Sequence, residues 1–114
     1  MIRVTLHRKD EIITGFECTG HAGFAEEGSD IVCAAVSILT TTCANALESV
    51  AGLTPKVKAA PGKMILALPE GGGHDAQVIL KTMRQGLSDL QDAYPDYLLL
   101  KENEALEETN HVEA

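Results

Sequence analysis

The chain has 114 residues, enough for one domain with its own core and too few for two of ordinary size. Nine basic against 17 acidic side chains leave a formal charge of −8, so a phosphate-backbone binder's electropositive face has little to draw on. Apolar residues at 45% exclude a disordered chain, and three cysteines without a dense spacing argue for a reducing, cytoplasmic setting over a disulfide scaffold.

The opening Met1-Ile-Arg-Val-Thr-Leu alternates apolar Ile2, Val4 and Leu6 with polar neighbours, which predicts a half-buried strand and not a signal peptide. A charged turn, Arg8 to Glu11, leads to a second strand over Ile12–Thr19, with Ile12, Thr14, Phe16 and Cys18 sharing one face. Gly15 weakens that strand. The two are expected to pair as a hairpin.

A loop from Gly20 to Ser29 follows, with glycines at 20, 23 and 28 and two adjacent glutamates. Such a loop can let a backbone approach a ligand closely, and here it is expected to be mobile and to close over a bound peptide. Asp30 is the natural N-cap of the next helix, which makes Ile31, Val32 and Cys33 its first three positions. A thiol in a first turn feels unsatisfied backbone N–H groups and is drawn toward thiolate. Val32, Val36, Leu39, Cys43, Ala46 and Val50 form the predicted core stripe. Cys33, Ser37, Thr40 and Ala44 lie to its side. The stretch Ile31–Ala51 carries a single charge, Glu48, but its serines, threonines and asparagine speak against a membrane span.

Gly52 stops the helix. A second hairpin is predicted over Pro55–Ala60 and Lys63–Leu68 around Pro61-Gly62. Gly71-Gly72-Gly73 breaks the chain; without a following Lys-Ser/Thr it makes no phosphate loop. A second helix runs from about Asp75 to Ala93, its inner face Ala76, Ile79, Leu80, Met83, Leu87 and Leu90, with Gly86 an unfavourable interior residue. Tyr97 to Leu100 is a possible edge strand, and residues 102–114 an acidic, flexible tail after a single domain over 1–101. The order ββα-ββα gives an α+β fold, a largely antiparallel sheet with two helices on one face.

The residues that bear chemistry are His21 and Cys33, the minimum pair for nucleophilic acyl transfer if the loop brings them together. Cys18 and Cys43 fit ordinary packing. Asp30 serves as a cap or as an orienter of the imidazole, with the cap its main job; Ser37, one turn beyond Cys33, meets substrate or bonds back to helix carbonyls. Two rival readings use the same stretch: a metal site from Cys18, His21 and Cys33, which lacks the second tight ligand pair of a structural zinc site, and a non-catalytic module that holds a basic peptide on an acidic face.

Gly20-His21-Ala22-Gly23 followed by Asp30-Ile31-Val32-Cys33-Ala34-Ala35-Val36-Ser37 resembles the ribosomal-processing cysteine protease (Prp) family, and the likeness extends in weaker form over most of the chain. The resemblance implies a cysteine endopeptidase that removes the N-terminal extension of ribosomal protein twenty-seven of the large subunit. It makes Cys33 the nucleophile and His21 the general base, with Asp30 and Ser37 in support and no cofactor or metal. It also points to a homodimer, as does a central helix with more apolar surface than one sheet face can cover. Neither a nucleic acid nor a membrane is an expected partner.

Overall fold

The computed structural model describes residues 1–20 and 29–104, with the backbone alone at 29 and 30. Its elements, in chain order, are β1 (Ile2–Lys9), β2 (Ile12–Thr19), α1 (Ser29–Ser49), β3 (Lys56–Ala60), β4 (Lys63–Ala67), α2 (His74–Ala93) and β5 (Leu98–Glu104). The five strands make one sheet in the order β3-β4-β2-β1-β5. Every neighbouring pair is antiparallel except β1 and β5, which run parallel. This is the expected α+β architecture, with the last strand longer than the Tyr97–Leu100 run. Residues 101–104 therefore belong to the sheet; the rest of the expected tail lies outside the described residues.

The core follows from strand alternation. Ile2, Val4 and Leu6 of β1 face inward, beside Phe16 of β2, Leu66 of β4 and Leu98 of β5, all fully buried. Phe16 is in register with both Leu6 and Leu66, so the largest side chain of the core sits mid-sheet. Gly15 lies beside Ala67, where a Cβ would run into the carbonyl of Leu66. The glycine that looked like a weakness is thus required by close packing of β2 on β4.

The expected face of β2 is corrected at its start. Between His7 and Arg8 the register slips by one residue, and Thr14 has no partner of its own on β1. This bulge turns Ile13 into the core and leaves Ile12 partly exposed, the reverse of strict alternation. Gln77 of α2 then completes the hydrogen bonding where β4 has ended. Its Oε1 accepts from the Ile13 N–H at 2.9 Å, and its Nε2 donates to the carbonyls of Ile13 at 2.8 Å and Gly71 at 2.7 Å. A buried amide with three satisfied bonds docks the helix on the sheet.

Helix α1 is also rotated from its expected stripe. Val32, Val36, Thr40, Cys43, Ala44 and Leu47 are buried, so Thr40 and Ala44, placed on the flank, belong to the core, while Val50 lies beyond the helix and is exposed. Thr40 tolerates burial because its hydroxyl donates to the Val36 carbonyl at 2.9 Å. Ile31 and Ile38 remain exposed on the far side, so the helix is buried on one face and not all round.

Candidate active site

The helix that carries Cys33 begins at Ser29, two residues ahead of the expected start at Ile31. Ser29 and Asp30 both favour helix N-termini, so either could open it. Asp30 is consequently in the first turn instead of at the cap. Cys33 becomes the fifth helical residue, just past the first turn and its unsatisfied N–H groups. The first-turn argument for an activated thiol is weaker by that shift.

Cys33 opens onto a cleft. A cavity of about 220 Å³ opens between α1 and the sheet. Cys33, Val36, Ser37, Thr40 and Thr41 line its helix wall; Ile2, Cys18, Gly20 and Met64 line the sheet side, and Ala59, Ala60, Gly62 and Lys63 the β3–β4 hairpin. Cys33 is half-buried there and Ser37, one turn on, is exposed. Gly20, with φ of 100°, closes the sheet wall: its N–H donates to the Gly62 carbonyl at 3.0 Å, and a Cβ would strike the carbonyl of Met1. The β2 end, the hairpin and the N-terminal strand are thereby drawn together at one edge of the cleft. Small residues along the hairpin rim leave room for a peptide main chain to come close.

The three thiols differ in environment. Burial pushes Cys43 up to about 12, which makes it inert at neutral pH. Cys18 is raised as well, first by burial and then by the charge that Cys33 would carry. Both thiols line the same cleft, Cys18 from the sheet and Cys33 from the helix. Sequence reasoning placed Cys18 on one face of β2 and joined it to Cys33 only in the rival metal site with His21, because the packing of a strand on a helix is invisible to local periodicity. His21 and the loop expected to close over a peptide lie outside the described residues. Among the described residues no three His, Cys, Asp or Glu side chains gather as a metal site.

A half-accessible thiol at the wall of a cleft suits covalent attack on a carbonyl carbon. The comparisons agree. The family described as cysteine protease Prp matches residues 1–99. The ribosomal processing cysteine protease Prp of Bacillus subtilis (strain 168) is 34% identical over 110 residues, covering 90% of this chain and 98% of that protein. Among solved structures, SMU.848 from Streptococcus mutans superposes with a TM-score of 0.82 at 33% identity, covering 90% of this chain and 93% of its own. The essential ribosomal processing protease Prp from S. aureus, in complex with a substrate peptide, gives 0.79 at 29% identity, covering 90% of this chain and all of its own. The same S. aureus enzyme has also been solved with a covalently linked product peptide. With a family match over nearly all of the sheet and both helices, the chain belongs to the Prp family of cysteine proteases.

Proposed function

We propose that this protease removes the N-terminal extension of ribosomal protein twenty-seven of the large subunit, with Cys33 as nucleophile and His21 as general base. The observation that carries the reading is the position of Cys33. Of the three cysteines it alone stands half-buried on the helix wall of the cleft, with Cys18 across from it on the sheet and Cys43 buried on the other side of α1. The ribosomal-processing role of the Bacillus subtilis relative, and the peptide complexes of the S. aureus enzyme, support a peptide substrate of this kind.

In this mechanism the His21 imidazole takes the Cys33 proton, and the thiolate attacks the scissile carbonyl. The imidazolium then protonates the leaving amine, and water, activated by the same ring, releases the acyl group from sulfur. Ser37 supports the reading as a substrate contact by its exposure one turn from Cys33. Asp30, in the first turn of α1, supports the helix start. The protein acts in the cytoplasm, where its thiols stay reduced, and its acidic balance suits a basic polypeptide better than a nucleic acid.

The working unit is a homodimer. The outer faces of α1 and α2 leave an apolar groove of about 340 Å³ between Ile38, Leu39, Cys43, Val78, Ile79 and Met83. Ile38 and Val78 stand exposed at its lips. A second copy that covers this groove would bury the apolar side chains exposed at its lips, Ile38 and Val78.

The deciding experiment incubates the protein with the extended ribosomal precursor and locates the cut by mass. Cleavage at one bond by the wild type and none by Cys33→Ala is the expected result. An uncut precursor with wild-type protein, or the same cut by Cys33→Ala, overturns the reading.

A further inference from the structure

We propose that Cys18 and Cys33 form a reversible intramolecular disulfide when the cleft meets a peroxide, making the pair a redox modification site. The inference extends the reading of Cys33 as a reactive thiol, but it requires no turnover to be seen. Three observations carry it. Both residues line one cavity, Cys18 from β2 and Cys33 from α1. Both are free thiols and only half-buried, so a molecule the size of hydrogen peroxide reaches them. Cys18 is held by pairing on both sides, with Val4 of β1 and Met64 of β4, on the sheet face that looks toward α1. It is therefore presented to the helix by a rigid scaffold and not by a loop.

The chemistry balances without any group beyond the peroxide. The Cys33 thiolate attacks one peroxide oxygen, the O–O bond breaks, and the sulfur leaves as sulfenic acid while hydroxide takes a proton to become water. Cys18 sulfur then attacks the Cys33 sulfenic sulfur; the S–O bond breaks and a second water departs with the Cys18 proton. Two thiols are oxidised by two electrons and one peroxide is reduced to two waters.

Charge on Cys33 is one of the two causes that disfavour a thiolate at Cys18. Burial is the larger cause and persists, but sulfenic acid formation removes the Cys33 charge and so eases attack by Cys18. In the reduced protein Cys18 stays protonated beside the nucleophile and leaves it free. Cys43 cannot take this part, because it is buried in the core and lines the groove on the other side of α1. The bond would convert an injury into a protected state: a sulfenic acid with no neighbouring thiol proceeds to sulfinic acid, which dithiols do not reverse.

The test treats the reduced full-length protein with a few equivalents of hydrogen peroxide, then unfolds it in the presence of an alkylating agent and maps the peptides by mass. The expected product has lost two hydrogen atoms, contains a Cys18–Cys33 cross-linked peptide, carries alkylation only at Cys43, and regains all three thiols on treatment with dithiothreitol. In Cys18→Ser the same dose should drive Cys33 to sulfinic acid that dithiothreitol does not reverse. Sulfinic Cys33 in the wild type with Cys18 still open to alkylation overturns the proposal, as does a Cys18→Ser protein whose Cys33 is as recoverable as the wild type's. A reduced wild type that leaves the precursor uncut, yet forms the cross-link on oxidation, would count against the proteolytic reading alone.

Discussion

The side chain of Leu39 on α1 rests against the bare Cα of Gly86 on α2: a Cβ built on Gly86 would come within 2.8 Å of the Leu39 Cδ2. The interior glycine that costs helix propensity is therefore the point at which the two helices approach.

Two opposing magnitudes make this contact testable. Gly86→Ala gains about 1 kcal/mol of helix propensity, whereas overpacking a helix contact costs about 1–3 kcal/mol. The net effect in the wild type is expected to be a loss of stability. In a Leu39→Ala background, with the obstruction gone, the same change should stabilise. Urea denaturation of the four proteins in this cycle checks the reversal of sign.

Gln77→Leu should be far more damaging than a surface change. It strands the N–H and carbonyl of Ile13 and the carbonyl of Gly71, now all paired with the amide. A loss of about 2–4 kcal/mol is expected, since each stranded buried group costs about 1–3 kcal/mol and some regain water. A midpoint within error of the wild type would show that the latch carries no weight.

For the proposed catalytic pair, Cys33→Ala and His21→Ala should each lower precursor cleavage by about three orders of magnitude or more, and the double variant should be no worse than either. Thermal unfolding should be little changed by Cys33→Ala, because the thiol is small and only half-buried. Losses that multiplied in the double variant would mean that the two side chains do not act as one unit.

Cys43 predicts a pH effect with a definite sign. Its folded thiol is held up to about 12 while the unfolded thiol titrates near 9. Between those values the unfolded chain has lost a proton that the folded chain keeps, so stability falls as pH rises. The contribution is fully present below pH 9. Cys43→Ala should flatten the alkaline fall of Tm relative to the wild type; parallel curves would remove Cys43 as its cause.

If the interhelical groove is the dimer contact, Ile38→Asp and Val78→Asp should shift the sedimentation profile to the monomer mass while far-UV circular dichroism is unchanged. A wild type that is already monomeric at micromolar concentration rejects the groove as a dimer interface.

Much of this architecture is legible in the sequence because its signals are local. The Ile2-Val4-Leu6 alternation, the Pro61-Gly62 turn and the spacing of Ala76, Leu80, Met83 and Leu87 each act within a few residues. What escaped depends on distant partners. The role of Gln77 follows from a bulge at Thr14 that no period announces, and the rotation of α1 depends on Thr40 returning its hydroxyl to its own helix. The site divides in the same way. Cys33 could be singled out from the motif around it, whereas its neighbour Cys18, fifteen positions earlier, is brought close only by the packing of α1 on β2.

The parallel pairing of β1 with β5 sets a timetable for synthesis. Ile2 is matched to Leu98 and Arg8 to Glu104, and the Arg8 guanidinium holds the Glu102 carboxylate at 2.9 Å and that of Glu104 at 3.1 Å. A chain still threaded through the ribosome can form both hairpins and α1, but β1 must wait as an open edge until residues 98–104 have emerged. For that interval an unpaired strand rich in isoleucine, valine and leucine is offered to any other nascent chain nearby. Slowing translation within α2 or β5 prolongs that interval and should therefore lower the soluble yield.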